Sequence, residues 1–275
     1  MNAVKHYGLI PGAVARTAVD ANVSPHCLEQ DADPRAATGH PEGQPTMKPP
    51  ARPSGAVPAY SLADIRAGLF SAVLSDCLDR CGVAKQALPS RIRPLDLAGV
   101  MVGRARTAAF MEVYHVAEGV NPYELEIALV DSLQPGEIPV FACSNPERVA
   151  PWGELLSTAA QVRGAAGALM DGCVRDVKPI LAMGFPVFHG GIAPLDSKGR
   201  GKIMALDVPI ECAGVPVAQG DLIFGDADGV GVVPQAVEKQ VLELAFEKVK
   251  GERSTLQDLR RGDKLADVFA RYGVL

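Results

Sequence analysis

Apolar residues first recur at a regular spacing after residue 60. Ser61 and Asp64 fit the Ser-x-x-acid pattern of a helix start. Behind them the apolar positions fall on one helix face until Gly82, and glycine commonly ends helices. These positions are Leu62, Ile65, Leu69, Val73, Cys77 and Cys81. The pattern predicts a helix from Ser61 to Gly82.

Strand and helix patterns alternate in the middle of the chain. The predicted strands are Val100–Gly103, Thr107–Phe110, Ile138–Ala142, Gly167–Met170 and Pro186–Phe188. The predicted helices are Glu124–Leu133, Gly153–Gly164 and Val177–Met183. Such alternation is typical of an α/β layer. The sequence therefore predicts the α/β class.

The last third has a different pattern. Four short apolar segments are separated by turn residues: Val208–Glu211, Val215–Ala218, Leu222–Gly225 and Val230–Val233. Closely spaced short strands with such turns predict a β meander or small barrel. Ala236–Lys250 follows with an apolar stripe at helical spacing, which predicts an amphipathic helix.

Residues 1–58 lack any sustained period and hold nine of the 22 prolines. This composition predicts a disordered N-terminal extension, followed by one domain over residues 59–275. A processed leader or a wrongly assigned start codon would fit the same stretch. No secretory signal pattern is present at Met1–Pro11.

Composition excludes several functional classes. The formal charge is -5 and the pI about 5.6, which argues against a nucleic-acid partner. No apolar run approaches the roughly 18 residues that cross a bilayer, so no membrane partner and a cytoplasmic location are expected. Six cysteines form no CxxC pair. Cys77 and Cys81 share a predicted helix face, so a zinc site is conceivable, but buried thiols are the preferred interpretation.

Candidate chemistry concentrates between Trp152 and Asp176. Gly153, Glu154, Leu155 and Leu156 enter a predicted helix, and helix starts offer unpaired N–H groups that bind carboxylates and enolates. An ordinary acidic first turn would have the same sequence. Arg175 and Asp176 follow a predicted buried strand, where ligand sites of α/β layers lie. Arg175 suits a carboxylate and Asp176 suits Mg²⁺ or Mn²⁺, although a local salt bridge would also explain the pair.

The segment after the predicted strand Pro186–Phe188 offers two more candidates. Gly190–Arg200 is long, rich in glycine and charged, so a lid or a subunit contact is expected there. His189 precedes it and could transfer protons, but a structural histidine is equally consistent with the pattern.

Glu154 and Arg175 are separated by 20 residues, and Asp176 follows at once. This spacing resembles the signature of the class II pyruvate aldolases that act on 4-hydroxy-4-methyl-2-oxoglutarate and 4-carboxy-4-hydroxy-2-oxoadipate. They share a superfamily with the regulator of ribonuclease activity A proteins. Further similar segments, in the same order, extend the resemblance over about Ser61–Lys250: Ser75–Arg80, Gly103–Thr107, Gly184–Phe188, Asp196–Arg200, Gly220–Ile223 and Asp226–Val230.

The resemblance implies a layered α/β/α sandwich of the swivelling type, in a homotrimer or hexamer with the site at a subunit boundary. It implies that Asp176 holds Mg²⁺ or Mn²⁺ largely through water. Arg175 would bind the pyruvyl oxygens, the Gly153–Leu156 amides the carboxylate, and Glu154 a proton-carrying water. The implied reaction cleaves a small 4-hydroxy-2-oxo diacid to pyruvate and a second oxo acid, with oxaloacetate decarboxylation as a side activity.

Two segments depart from the family pattern. Pro179 stands where many members have an acid, and Met111–Val120 differs in a way that could change the distal end of the substrate. The alternative function is that of a non-catalytic protein that binds and regulates a ribonuclease. A methyltransferase is rejected because no glycine-rich nucleotide loop follows a first strand.

Overall fold

The computed structural model describes residues 60–143 and 148–273, so the predicted disordered extension lies outside the described residues. The helices are α1 (Leu62–Gly68), α2 (Ser71–Arg80), α3 (Glu124–Asp131), α4 (Glu154–Val162), α5 (Val177–Met183), α6 (Glu238–Arg260) and α7 (Leu265–Tyr272). The strands are β1 (Arg93–Pro94), β2 (Met101–Glu112), β3 (Glu137–Cys143), β4 (Ala168–Met170), β5 (Cys173–Val174), β6 (Val187–His189), β7 (Gly191–Ile192), β8 (Gly201–Leu206), β9 (Ile210–Cys212), β10 (Val215–Val217), β11 (Leu222–Gly225) and β12 (Val230–Val233).

Eight strands form the main sheet in the order β1-β6-β4-β3-β2-β11-β12, with β8 also paired to β2. The pairs β2–β3, β3–β4 and β4–β6 are parallel. The 12-residue strand β2 borders β3 on one edge; on its other edge, its first half pairs with β11 and its second half with β8. The long strand therefore joins a parallel half of the sheet to an antiparallel half.

The sheet curls until its two ends approach each other. The segment before β1 bonds to β12 through an Ala87–Gly231 bridge, and Leu88 N donates to Val230 O at 2.9 Å. A few residues later, β1 pairs with β6 at the opposite end. One short stretch thus spans both ends and nearly closes a barrel. Its interior is filled by buried apolar side chains that include Met101, Ile138, Leu169, Phe188 and Ile223.

Helices cover the outer face of the sheet at two places. Around α3, α4 and α5 the core includes Phe141, Trp152 and Met170. Around α1, α2 and α6 it includes Val102 and Phe224. The predicted α/β fold class is confirmed, with the helices on the outside of the curled sheet. No helix within residues 60–143 and 148–273 combines the length and hydrophobicity that a membrane crossing requires.

The predicted single helix from Ser61 to Gly82 is wrong. The Ser61–Asp64 capping box is present, but α1 ends at Gly68, and Leu69 and Phe70 are extended before α2 begins. Asp226 causes the restart: it accepts from Ser71 N at 2.8 Å and from Ser71 Oγ at 2.7 Å. A carboxylate from another part of the chain therefore supplies the N-terminal cap of α2.

Other boundaries also differ from the predictions. The two strands predicted between Val100 and Phe110 are one strand, β2. The separate meander or small barrel does not form, because β11 and β12 join the main sheet while β9 and β10 pair only with each other. Helix α6 continues to Arg260, and α7 follows without having been predicted.

Candidate active site

The start of α4 is held beside β5 by an extended segment. Trp152 is fully buried and pairs with Val174, and its indole Nε1 donates to Ser157 Oγ in the first turn of α4 at 2.7 Å. Gly153 is the N-cap residue and offers no side-chain cap to its own helix. The first turn of α4 is thus fixed in position while its backbone N–H groups face outward from the helix end.

Asp176 supplies a side-chain hydrogen bond to the start of α4, although it lies outside that helix. It follows β5 in the left-handed conformation, with φ 58° and ψ 40°, which is uncommon for a residue other than glycine. Its Oδ2 accepts from Glu154 N at 3.2 Å. Gly153 leaves the necessary space, because a Cβ there would stand 2.6 Å from the same oxygen. Unusual backbone conformations often occur at functional sites, and this one directs a carboxylate to the start of α4.

Arg175 lies between two carboxylates. Its backbone N donates to Trp152 O at 3.0 Å, which aligns the residue with the segment before α4. Its Nη2 is 3.2 Å from Asp196 Oδ1, and its Nε is 3.8 Å from Asp176 Oδ2. The side chain is 38% exposed, so the guanidinium can still meet a ligand. A planar cation beside a helix start can bind a small carboxylate or an enolate.

The structure brings Gly153, Glu154, Arg175 and Asp176 into one place, as the spacing predicted. Of the other two predicted residues, Leu155 has a side chain that is 82% exposed, and the side chain of Leu156 packs against the core. Both leucines can offer a ligand their backbone N–H groups. The roles assigned to all six residues remain predictions.

The start of α3 adds two polar residues that the sequence did not indicate: the N-cap residue Tyr123 and Glu126 in the first turn. The Tyr123 hydroxyl donates to Asp196 Oδ2. One turn later Glu126 is only 4% exposed, and its Oε1 has no hydrogen-bond partner among the residues that the structure describes. Burial raises the pKa of Glu126 to about 7, against the opposing effect of its hydrogen bond with Ser197. The available signal was an acid at i+3 from a tyrosine within an apolar helix.

The Gly190–Arg200 segment forms one wall of the site. Strand β7 pairs with β5, and Asp196 forms a bridge with Ala150 just before Trp152. His189, at the end of β6, is 8% exposed, and burial lowers its pKa, which favours the neutral ring. Its Nδ1 lacks a partner among the described residues. The structure thus places this histidine at the end of a sheet strand, and both interpretations of its role remain predictions.

A metal ion could bind at Asp176, whose side chain is 42% exposed. Within residues 60–143 and 148–273, no three His, Cys, Asp or Glu side chains are grouped as a metal-binding cluster. A single carboxylate still fits Mg²⁺ or Mn²⁺, because these hard ions keep several waters and often take one or two protein oxygens together with the substrate. The Cys77 thiol is buried and that of Cys81 is half-buried in the core near α2, as expected for structural thiols.

Comparison with known proteins identifies the family of this chain. The family model described as "RraA-like: Aldolase/RraA" matches residues 71–232. A Halalkalibacterium halodurans protein named "Putative 4-hydroxy-4-methyl-2-oxoglutarate aldolase" is 38% identical over 175 residues, which is 64% of this chain and 77% of that protein.

Solved structures show the same fold. A protein from Pseudomonas syringae pv. tomato superposes with a TM-score of 0.67 and 26% identity, over 78% of this chain and 99% of the other. Streptomyces coelicolor RraAS2, described as an unusual member of the RNase ES inhibitor RraA family, gives a TM-score of 0.62 and 26% identity, over 70% and 94%. The chain belongs to the RraA-like aldolase/RraA family, and the resemblance inferred from the sequence is confirmed.

Proposed function

We propose that this protein is a divalent-metal-dependent aldolase that cleaves a 4-hydroxy-2-oxo diacid, such as 4-hydroxy-4-methyl-2-oxoglutarate, to pyruvate and a second oxo acid. One observation carries the proposal: Arg175, Asp176 and the start of α4 converge, with Glu154 N bonded to Asp176 Oδ2 at 3.2 Å. A relative named as an aldolase of this substrate supports the reaction class.

Each residue has a defined task in this reaction. The N–H groups of the first turn of α4 bind the substrate carboxylate. The proton of the 4-hydroxyl leaves through a water held by Glu154, the C3–C4 bond breaks, and its electron pair forms the enolate of pyruvate. Arg175 stabilises the enolate oxygen where the charge develops, and a proton then returns to C3 through the same water.

Asp176 would hold Mg²⁺ or Mn²⁺, since its exposed carboxylate is the hard oxygen ligand of the site. The bound ion would supply positive charge that favours the enolate over the neutral keto acid. Loss of carbon dioxide from oxaloacetate gives the same enolate. Oxaloacetate decarboxylation is therefore expected as a side activity.

The test measures both reactions in the full-length protein with Mg²⁺ or Mn²⁺, before and after chelation, and in Arg175→Lys. Lysine keeps the charge but loses the planar pair of donors. We expect both rates to require the metal, and both to fall about 100- to 1000-fold in Arg175→Lys. Arg163→Lys is the matched control, because Arg163 is similarly exposed and paired with Asp131 away from the site. A wild-type protein without either activity overturns the proposal.

The alternative is a non-catalytic regulator that binds a ribonuclease, and the similarity to RraAS2 is the observation that favours it. Residues that serve only in protein binding have no need of Arg175 beside the first turn of α4. A chain that binds a ribonuclease and inhibits it, but turns over neither substrate with either metal, would support this alternative.

We also propose that the protein acts as a homotrimer or hexamer in the cytoplasm. Large apolar side chains near the site are exposed in the single chain, with Leu155 at 82%, Ile192 at 62% and Ile127 at 46%. Contact with a second copy would remove these side chains from water. Light scattering on the purified protein measures the mass; a monomeric protein with full activity would contradict this assembly.

A further inference from the structure

Asp196 connects Arg175 to helix α3. Its two carboxylate oxygens have different partners: Oδ1 is 3.2 Å from Arg175 Nη2, and Oδ2 accepts from the Tyr123 hydroxyl. A tyrosine, an aspartate and an arginine thus form one chain of contacts that ends at the candidate site. The three come from different segments of the chain: before α3, after β5, and between β7 and β8.

The backbone fixes Asp196 and Arg175 on the same support. Ala150 forms a bridge with Asp196 and donates from its N to Leu195 O at 2.9 Å. Two residues later, Trp152 O accepts from Arg175 N at 3.0 Å. Because one short extended segment bonds to both, the Cα positions of the ion pair are set together. Only the side-chain torsions remain to be fixed.

Those torsions matter for a half-exposed arginine. Ordering such a long side chain costs conformational entropy. A lone, partly exposed ion pair contributes too little stability to hold the arginine in one orientation. A second bond that fixes the carboxylate partner reduces the number of ways in which the pair can form. The Tyr123 hydroxyl makes that bond.

The tyrosine remains a donor over the working pH range. Burial, followed by its bond to Asp196 and the negative charges of Asp196 and Glu126, raises the pKa of Tyr123 to about 12, against the opposing effect of Arg175. Asp196 stays ionised because its bonds with Tyr123 and its own loop, together with Arg175, outweigh the effect of burial and lower its pKa. The hydrogen bond from the Tyr123 hydroxyl to the Asp196 carboxylate therefore persists near neutral pH.

We propose that Tyr123 and Asp196 are positioning residues for Arg175: the Tyr123 hydroxyl orients the Asp196 carboxylate, which holds the guanidinium plane at the enolate site. The expected effect on catalysis rests on the proposed function. The orientation of Arg175 does not, and it can be measured in a protein without activity.

The kinetic test uses Tyr123→Phe, which keeps the ring and removes the hydroxyl. For oxaloacetate decarboxylation with Mn²⁺ we expect kcat to fall about tenfold, with KM changed less than about threefold. A misoriented Arg175 guanidinium should weaken the stabilisation of the transition state more than the binding of the substrate. Tyr272→Phe is the matched control: its hydroxyl also bonds to an aspartate, at 2.9 Å from Asp258 Oδ2, but on α7. It should lose similar stability and keep kcat within about twofold.

A double-mutant cycle separates positioning from general destabilisation. Asp196→Asn keeps the side-chain shape and removes the charge that holds Arg175. If both residues act through one arginine, Tyr123→Phe in the Asp196→Asn background should lower kcat by less than about twofold further. Independent, multiplying losses in the double variant would overturn the proposal.

A crystal structure of Tyr123→Phe tests the positioning without any assay. We expect the guanidinium of Arg175 to leave Asp196 while the backbone of residues 150–152 stays in place. An Arg175 side chain that keeps its wild-type orientation in this variant would overturn the inference. If the wild-type protein shows no lyase activity, the proposed function fails, and the orientation of Arg175 in this crystal structure still decides the structural part.

Discussion

Gly153 lies between the two charged side chains of the site, and an added Cβ there would stand 2.6 Å from Asp176 Oδ2 and 3.2 Å from Arg175 Cγ. Its φ of -158° is open to any residue, so glycine is required for space and not for backbone freedom. The sequence spacing predicts that Gly153 and Arg175 share one site, but it does not show that a side chain at Gly153 would collide with Asp176.

Gly153→Ala should therefore displace the carboxylate and guanidinium while the fold survives. We expect kcat/KM for oxaloacetate to fall at least about tenfold, since small misplacements of reacting groups are costly, and stability to fall by about 1–3 kcal/mol. Gly251→Ala in α6 is the control, because nothing lies within 4 Å of its added Cβ. Steady-state rates and urea unfolding measure both effects; wild-type kinetics in Gly153→Ala would contradict the described geometry.

Asp176→Asn separates the ligand role of this residue from its structural role. Asparagine tolerates the left-handed conformation, and its carbonyl oxygen can still accept from Glu154 N. We expect Mn²⁺ binding by calorimetry and metal-dependent turnover to be lost, with Tm within about 2 °C of wild type. Asp96→Asn is a matched control, because Asp96 also accepts one backbone N–H, from Ala98 at 2.9 Å. Full turnover at saturating Mg²⁺ in Asp176→Asn would place the metal elsewhere.

At the level of elements, the start of α2 depends on a residue 155 positions away in the sequence. Asp226 accepts from both the N and Oγ of Ser71, and α2 has no cap from its own N-cap residue, Phe70. Asp226→Ala should cost about 1–2 kcal/mol in the free energy of unfolding. Asp228→Ala, an exposed neighbour in the same turn, should cost less than about 0.5 kcal/mol. Equal costs in urea unfolding would show that the cap does not stabilise α2.

This contact explains why the sequence predicted one helix where the structure has two. The apolar period continues through Leu69 and Val73 because α1 and α2 present their faces to the same core. Periodicity reports which face is buried, but it does not report a break caused by a distant carboxylate. By contrast, α5 (Val177–Met183) was predicted with its observed bounds, since local patterns mark both of its ends.

The same division between local and distant contacts applies to the site. Glu154, Arg175 and Asp176 could be predicted because they lie on one strand–helix unit with a recognisable spacing. Tyr123 and Asp196 could not be, because they meet near Arg175 only through tertiary contacts between segments that are distant in sequence. Likewise, the sequence pattern of Val208–Val233 predicted short strands but not which other strands they pair with. The pairing of β11 with β2 is set by the curl of the whole sheet.

At the scale of the whole molecule, the site lies where the parallel half of the sheet ends. Strands β3 and β4 run parallel, and β4 is followed by β5 and then by Arg175. Ligands of α/β proteins commonly bind beyond the carboxyl ends of such strands. The antiparallel half, with β11 and β12, completes the barrel and packs beneath α2 and α6. The antiparallel half thus supports the fold away from the site, whereas Tyr123 and Glu126 bond to Asp196 and Ser197 in the wall of the site.

Glu126 makes the stability of this fold depend on pH. Its pKa is about 7 in the folded protein against an ordinary value of 4.5, with burial as the main cause. Between these values the folded state binds more protons than the unfolded state, so stability falls as pH rises. The stabilising effect of the neutral carboxyl is complete below pH 4.5 and is lost as pH rises through 7. A shift of this size corresponds to on the order of 3 kcal/mol.

Glu126→Gln should remove that dependence, because the amide is neutral at every pH. In urea unfolding at pH 5, 6, 7 and 8, we expect the variant to gain stability relative to wild type progressively as pH rises, by up to on the order of 3 kcal/mol at pH 8. The negative charge of Asp196 acts in the same direction as burial, whereas Arg175 and the Ser197 bond oppose it, so the measured gain reports their balance. Glu124→Gln, at an exposed position on the same helix, is the control and should follow the wild-type curve. If wild type and Glu126→Gln keep a constant difference across the four pH values, the carboxyl is already ionised in the folded protein, and its burial beside Asp196 is compensated by contacts other than those described.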